Sequence, residues 1–249
     1  MHLQATFDFR LVVLSIVIAI CASYAALDLV ERITLAGSSS RLGWLTGGAI
    51  AMGTGIWSMH FTGMLAYHLP VEVYYHIPTV LLSLLLAIAA SFVALFVVCR
   101  PRIGALHVIA GSVLIAAGIC GMHYTGMDAM RLAAMHHWDL SFVLLSILIA
   151  LVVSLAALGL ASLFRTGERD NVLKAMCATI MGFAVCSMHY TAMFAVSYTA
   201  MTETPDVTNA MSISVVANTA IVAVTFVVLG SVFLFQRWFP AQDPARSEA

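Results

Sequence analysis

The sequence predicts an all-α polytopic membrane bundle of seven transmembrane helices, built from three parallel two-helix repeats plus one extra helix. Three observations carry that prediction. Of 249 residues, 62% are apolar and 9% charged, with a mean hydropathy of +1.00, a balance that suits lipid and not water as the solvent. Seven apolar runs are each close to the roughly 20 residues that a helix needs to cross a hydrocarbon core. One short motif recurs three times at nearly constant spacing.

The runs cover 9–30, 42–66, 78–98, 104–125, 140–164, 173–196 and 212–235. Turn-forming residues sit between them, among them Pro70, Pro101, Gly167 and Pro205, as expected where a chain leaves one helix and enters the next. With the N-terminus outside, Arg32, Arg41, Arg100, Arg102, Arg165, Arg169, Lys174, Arg237 and Arg246 fall on the cytoplasmic side, leaving Arg10 and Arg131 opposite. That asymmetry sets the orientation. Cleaving the first run as a signal peptide would invert every later loop, so it reads as a retained helix. The expected organisation is a membrane domain over 1–236 and a short cytoplasmic tail over 237–249 with no output domain, in a bacterial inner membrane. A net charge of −1 offers nothing to recruit nucleic acid. Cys21, Cys99, Cys120, Cys177 and Cys186 lie in apolar stretches without CxxC spacing, which argues against a disulfide framework.

The repeat occupies the second, fourth and sixth runs. It reads Trp57-Ser58-Met59-His60-Phe61-Thr62-Gly63-Met64, then Cys120-Gly121-Met122-His123-Tyr124-Thr125-Gly126-Met127, then Cys186-Ser187-Met188-His189-Tyr190-Thr191-Ala192-Met193. An even number of spans separates the copies, so the motif helices run in the same direction and bring their histidines to one depth, near the extracytoplasmic face.

Side chains four apart share a helix face, which pairs His60 with Met64, His123 with Met127 and His189 with Met193. Neutral imidazole and thioether suit copper, whereas calcium and magnesium want oxygen ligands. Met59, Met122 and Met188 point about 100° away from their histidines, towards a neighbour or a second site. Cys120 and Cys186 lie near the ligand face, but Trp57 in the first copy rules out a threefold thiolate site. Phe61 likewise rules out any mechanism needing three phenols beside Tyr124 and Tyr190. The motif threonines are expected to bond back one turn. Met130, Met135, Met201 and Met211 could pass a soft metal inward, although methionine enrichment is more often flexible packing. His136 and His137, and the unrepeated His68, His76 and His107, read as solvated or locally bonded. Asp28 is expected to pair with Arg32 or Arg41.

The sequence resembles the MHYT domain, a bacterial integral membrane sensor module named for this tetrapeptide. The likeness extends from Ser23-Tyr24-Ala25-Ala26-Leu27-Asp28 through all three motifs. It implies copper held by Met59, His60, Met122, His123, Met188 and His189, and the sensing of a diatomic gas such as oxygen, carbon monoxide or nitric oxide. Such modules commonly precede a cyclic-dinucleotide enzyme or a kinase, whereas a short polar tail follows Phe235 here. The expected function is therefore a copper sensor of gas or redox state without catalytic activity, embedded in the bilayer and signalling through a separate cytoplasmic protein. A copper transporter or chaperone, and a copper or haem membrane oxidoreductase, are the alternatives.

Overall fold

In the computed structural model the described residues are 2–36, 38–102, 104–165 and 170–216, with 218, 219 and 222. Six long helices dominate: α1 (Phe9–Leu35), α2 (Ser38–Ala66), α3 (Ile77–Val98), α4 (Ala105–Asp128), α5 (Leu140–Ser162) and α6 (Asn171–Phe194). All but α2 are long and apolar enough to span a bilayer; α2 has the length, but six glycines and a serine-rich start dilute its hydropathy. Apart from 212–216, 218, 219 and 222, the predicted seventh span and the tail over 237–249 lie outside the described residues.

The helices form a ring in chain order, each packed on its neighbours, and α6 closes the ring on α1. The motif helices α2, α4 and α6 therefore alternate with α1, α3 and α5. The ring repeats in detail. Ser15 of α1, Ser83 of α3 and Ser146 of α5 each bond back to a valine carbonyl three residues earlier, Val12, Val80 and Val143, at 2.7, 2.7 and 2.8 Å. Eight residues on come Ser23, Ser91 and Ser154, with Ala19, Ala87 and Ala150 midway, and all nine of these serines and alanines are buried. Thus α1 is the counterpart of α3 and α5, and the repeating unit pairs α1 with α2, α3 with α4, and α5 with α6.

The chain is mostly helical but not wholly so, which corrects the all-α expectation. Short strands β1 (His2–Leu3), β2 (Thr6–Phe7), β3 (Tyr67–His68), β4 (Tyr74–His76), β5 (Met130–Arg131), β6 (Ala134–Trp138), β7 (Val196–Ala200) and β8 (Ala210–Ser212) gather at one end. In each unit the strand entering the first helix pairs antiparallel with the strand leaving the second: β2 with β3, β4 with β5, and β6 with β7. A further bond tightens each clip, from the N–H of Asp8, His76 and Asp139 to the carbonyl of Ala66, Ala129 and Ala195, at 2.9, 2.9 and 2.8 Å. Asp8 and Asp139 also cap α1 and α5 through their carboxylates, satisfying end donors that lipid cannot. Burial pushes the Tyr67 phenol up to about 12, and those of Tyr75 and Tyr198 are raised by burial as well, so these three phenols stay neutral.

At the opposite end Lys174, 4% exposed, lies 3.1 Å from both Asp28 and Glu31, while Arg32 meets Asp28 at 2.7 Å. Arg41, the other expected partner of Asp28, instead donates to the Cys99 carbonyl, and Arg165 to that of Arg100 at 2.5 Å. Both cations sit at the C-terminal end of α3, where a helix exposes unpaired carbonyls and partial negative charge.

A buried three-histidine centre

The clips fix the height of the functional layer. The clip carbonyl of each motif helix lies six residues after its histidine, on Ala66, Ala129 and Ala195, so three equivalent anchors bring the rings of His60, His123 and His189 together. Ring centroids are 4.9, 5.1 and 5.1 Å apart, each pair set edge to face. Nδ1 of His189 lies 3.2 Å from Nδ1 of both His60 and His123. All three residues are no more than 1% exposed, and no cysteine or carboxylate joins the group among the described residues.

These rings are crowded in a way that hydrogen bonding among themselves does not resolve. Three neutral imidazoles carry three N–H donors and three lone pairs, and none of their Nε2 atoms has a partner. The two Nδ1 separations of 3.2 Å are compatible with nitrogens that share one ion at a metal–imidazole bond of roughly 2.0–2.1 Å. The residues therefore fit a metal ion: it would engage three lone pairs at once, leaving Nε2–H without acceptors at a cost that coordination offsets. The backs of two rings press on glycine. A Cβ added at Gly63 would stand 2.3 Å from Nε2 of His189, and one at Gly126 would stand 2.4 Å from Nε2 of His60. The third copy has Ala192 at that position, fully buried.

The two methionine sets separate. Met64, Met127 and Met193 converge in one apolar cluster with Phe61 and Tyr75, one turn outward of the rings. The leading methionines diverge: Met59 packs with Ile18 and Cys186, Met122 joins the outer cluster, and Met188 joins the inner core. Of the nine expected ligands, the structure gathers three histidines into one group and the three later methionines above it. Of the remaining methionines, Met130 accepts from the Tyr198 hydroxyl at 3.5 Å, while Met135, Met201 and Met211 are exposed. Thr62 bonds back to Ser58 at 2.7 Å. His76 precedes α3 and meets Thr79 at 2.9 Å.

Sequence reasoning missed what surrounds the rings. Tyr190 and Tyr124 share hydrogen bonds of 2.7 Å with Ser15 and Ser146 of the adjacent units. Phe61 has no hydroxyl, and there Trp57 supplies the bond instead, its Nε1–H donating to Ser83 at 3.1 Å. The two departures of the first motif, read separately from the sequence, are one compensated change. The serine recurrence at 15, 83 and 146 was the signal that could have revealed it.

A ring of three two-helix units about a buried, metal-competent histidine group defines a polytopic membrane module of repeated construction. The chain belongs to the MHYT family, described as bacterial signalling protein N terminal repeat, which matches residues 53–111, 117–173 and 182–243. It is a multi-pass membrane protein of bacteria. Among curated proteins it is 46% identical over 197 residues to the bifunctional diguanylate cyclase/cyclic di-GMP phosphodiesterase MucR of Pseudomonas aeruginosa, covering 79% of this chain and 29% of that protein. It is 38% identical over 204 residues to the cyclic di-GMP phosphodiesterase NbdA of the same species, covering 81% and 26%. To the signaling protein YkoW of Bacillus subtilis it is 34% identical over 202 residues, covering 80% and 25%. The chain thus spans less than a third of these relatives. No solved structure matches it.

Proposed function

We propose that this chain is the sensory module of a cyclic di-GMP signalling system, holding copper through Nδ1 of His60, His123 and His189. The observation that carries the reading is the convergence of three fully buried imidazoles, Nδ1 of His189 lying 3.2 Å from Nδ1 of both His60 and His123, with all three Nε2 atoms unpartnered. The donor set supports copper over harder ions: neutral nitrogen below, thioethers of Met64, Met127 and Met193 above, and no carboxylate. Copper so bound would supply an open position for oxygen, carbon monoxide or nitric oxide, or a change of redox state.

The protein's part is to keep the rings dry, to hold them at one depth through the clips, and to link each to the next unit through Tyr124, Tyr190 or Trp57. A shift of one ring is thereby felt by an adjacent helix pair, and sensing requires that the signal bind the two arrangements of the ring unequally. The likeness to enzymes named for cyclic di-GMP turnover supports that second messenger as the output, which we assign to a separate cytoplasmic protein. The arginine distribution supports an N-terminus outside and the histidine layer near the extracytoplasmic face.

Transport would need ligand groups at several depths, and the histidine layer is the one cluster of histidine, cysteine or carboxylate ligands among the described residues. Haem is disfavoured because rings already in edge-to-face contact leave no room between them for a macrocycle. The test is elemental analysis of the full chain purified without added metal, beside the triple variant His60→Ala, His123→Ala, His189→Ala. Copper bound to the native chain and lost from a folded variant is expected; a native chain that neither contains nor takes up copper refutes the proposal.

A further inference from the structure

On the inner side of the histidine layer the ring is not filled. An apolar cavity runs along the axis, and all six helices contribute to its wall. Small side chains create the space: Ala22 and Ala26 of α1, Ala94 of α3, and Ala157 and Ala161 of α5. No charged side chain lines it, so an acid, an amine, a nucleotide or a metal ion would enter without a partner.

One polar group stands out in this wall. Ser154 is 1% exposed, and its Oγ has no hydrogen-bond partner. A serine inside a helix ordinarily bonds back to the preceding turn, as its counterpart Ser91 does to the Ala87 carbonyl at 2.8 Å. Ser154 lines the cavity instead, leaving a donor in an apolar chamber. Buried hydroxyls find partners in folded proteins, and here the remaining place for one is the cavity.

We propose that this chamber binds one uncharged, lipid-soluble molecule of small-ligand size whose carbonyl oxygen accepts a hydrogen bond from Ser154. The bilayer contains two sources of that chemistry, quinone headgroups and glycerolipid acyl esters. The position also gives the occupant access to the metal-competent layer. Met59, the residue before His60, forms part of the chamber wall. Ser154 lies eight residues along α5 from Ser146, which shares a hydrogen bond with Tyr124 beside His123.

The experiment is equilibrium binding to the full chain in detergent, with three probes: 2-methyl-1,4-naphthoquinone, its hydrocarbon analogue 2-methylnaphthalene, and monoolein. Saturable one-to-one binding of the quinone or of monoolein is expected, and whichever binds identifies the source. Ala157→Phe and Ala26→Leu, which occupy the space, should each weaken that binding at least tenfold. Ser154→Ala should weaken the carbonyl probe several-fold while leaving 2-methylnaphthalene unchanged. Copper content is measured in the same preparations and should stay at the native level in all three variants, so failure here is distinguishable from failure of the copper assignment. The proposal is overturned if neither carbonyl probe saturates, or if the space-filling variants, shown by melting to be folded, bind as the native chain does. Equal loss of both naphthalene-type probes in Ser154→Ala would also overturn the assigned hydrogen bond.

Discussion

Gly126→Ala adds a single methyl group to the chain, yet the structure places it where His60 already is. The new Cβ would lie 2.4 Å from Nε2 of His60, against ordinary contact at 3.4 Å or more. The ring must therefore retreat by about 1 Å, whereas ligand distances in a working metal site hold to about ±0.2 Å. The imidazole has little freedom to retreat, because it is fully buried and meets Phe61, His123 and His189 edge to face at 4.9–5.1 Å. Overpacking of this kind costs about 1–3 kcal/mol, and disturbing the groups that orient a ligand lowers metal affinity about 10–100-fold. Copper titration against a competing chelator should show a loss of at least that size, with a lowered midpoint of thermal unfolding. Gly63→Ala, which drives a methyl to 2.3 Å from Nε2 of His189, should behave alike. Ala192→Gly is the internal control: it supplies the third copy with the residue of the other two, and should leave affinity within a few-fold of native. If both glycine variants retain native affinity and native melting, the rings do not rest on these helix backbones, and the arrangement described for the centre is wrong.

Tyr124→Phe removes a 2.7 Å bond to Ser146, and Trp57→Phe removes the 3.1 Å bond to Ser83. Loss of one such hydrogen bond is expected to cost about 0.5–1.5 kcal/mol, with extra loss of packing for Trp57, read as a fall in the unfolding midpoint in detergent; Phe61→Tyr should not stabilise, since Ser83 is already engaged. At the other end of the ring, Lys174→Met leaves Asp28 and Glu31 without their shared ammonium. Lys174 is 4% exposed and serves two acids, whereas Arg32 is 31% exposed, so this variant should melt below Arg32→Ala, whose partly exposed pair with Asp28 is worth about 0–1 kcal/mol. Equal melting of the two would mean that Lys174 is hydrated in the folded protein.

The first six of the seven expected spans were legible as helices, because lipid forces each crossing to be a long apolar run, and their ends moved by only a few residues. The largest shift, α1 continuing from Val30 to Leu35, has a physical cause that no hydropathy window detects. Glu31 and Arg32 can stay helical because Lys174, 143 residues from Glu31, and Asp28 neutralise them. The convergence of His60, His123 and His189 was legible from spacing alone. Their i+4 methionines share one apolar cluster, whereas the scatter of Met59, Met122 and Met188 follows from the crossing of six helices and not from any one of them. The strands were not legible, since pairs such as Thr6–Phe7 and Tyr67–His68 are too short to show an alternating pattern. The serine recurrence was present in plain view but hidden by composition, because one hydroxyl in a run of leucine and valine leaves hydropathy almost unchanged.

The two kinds of bond around each unit have a consequence for how the chain could have arisen. A clip ties each helix pair to itself, and a Ser–Tyr or Ser–Trp bond ties it to the following pair, the last returning to the first through Tyr190 and Ser15. Every unit thus presents a donor edge on one flank and a receiving edge on the other, the arrangement by which separate identical subunits close a cycle. A tandem triplication of one hairpin-sized gene segment would inherit a finished assembly, and later divergence, such as the exchange of tyrosine for tryptophan, could proceed one flank at a time.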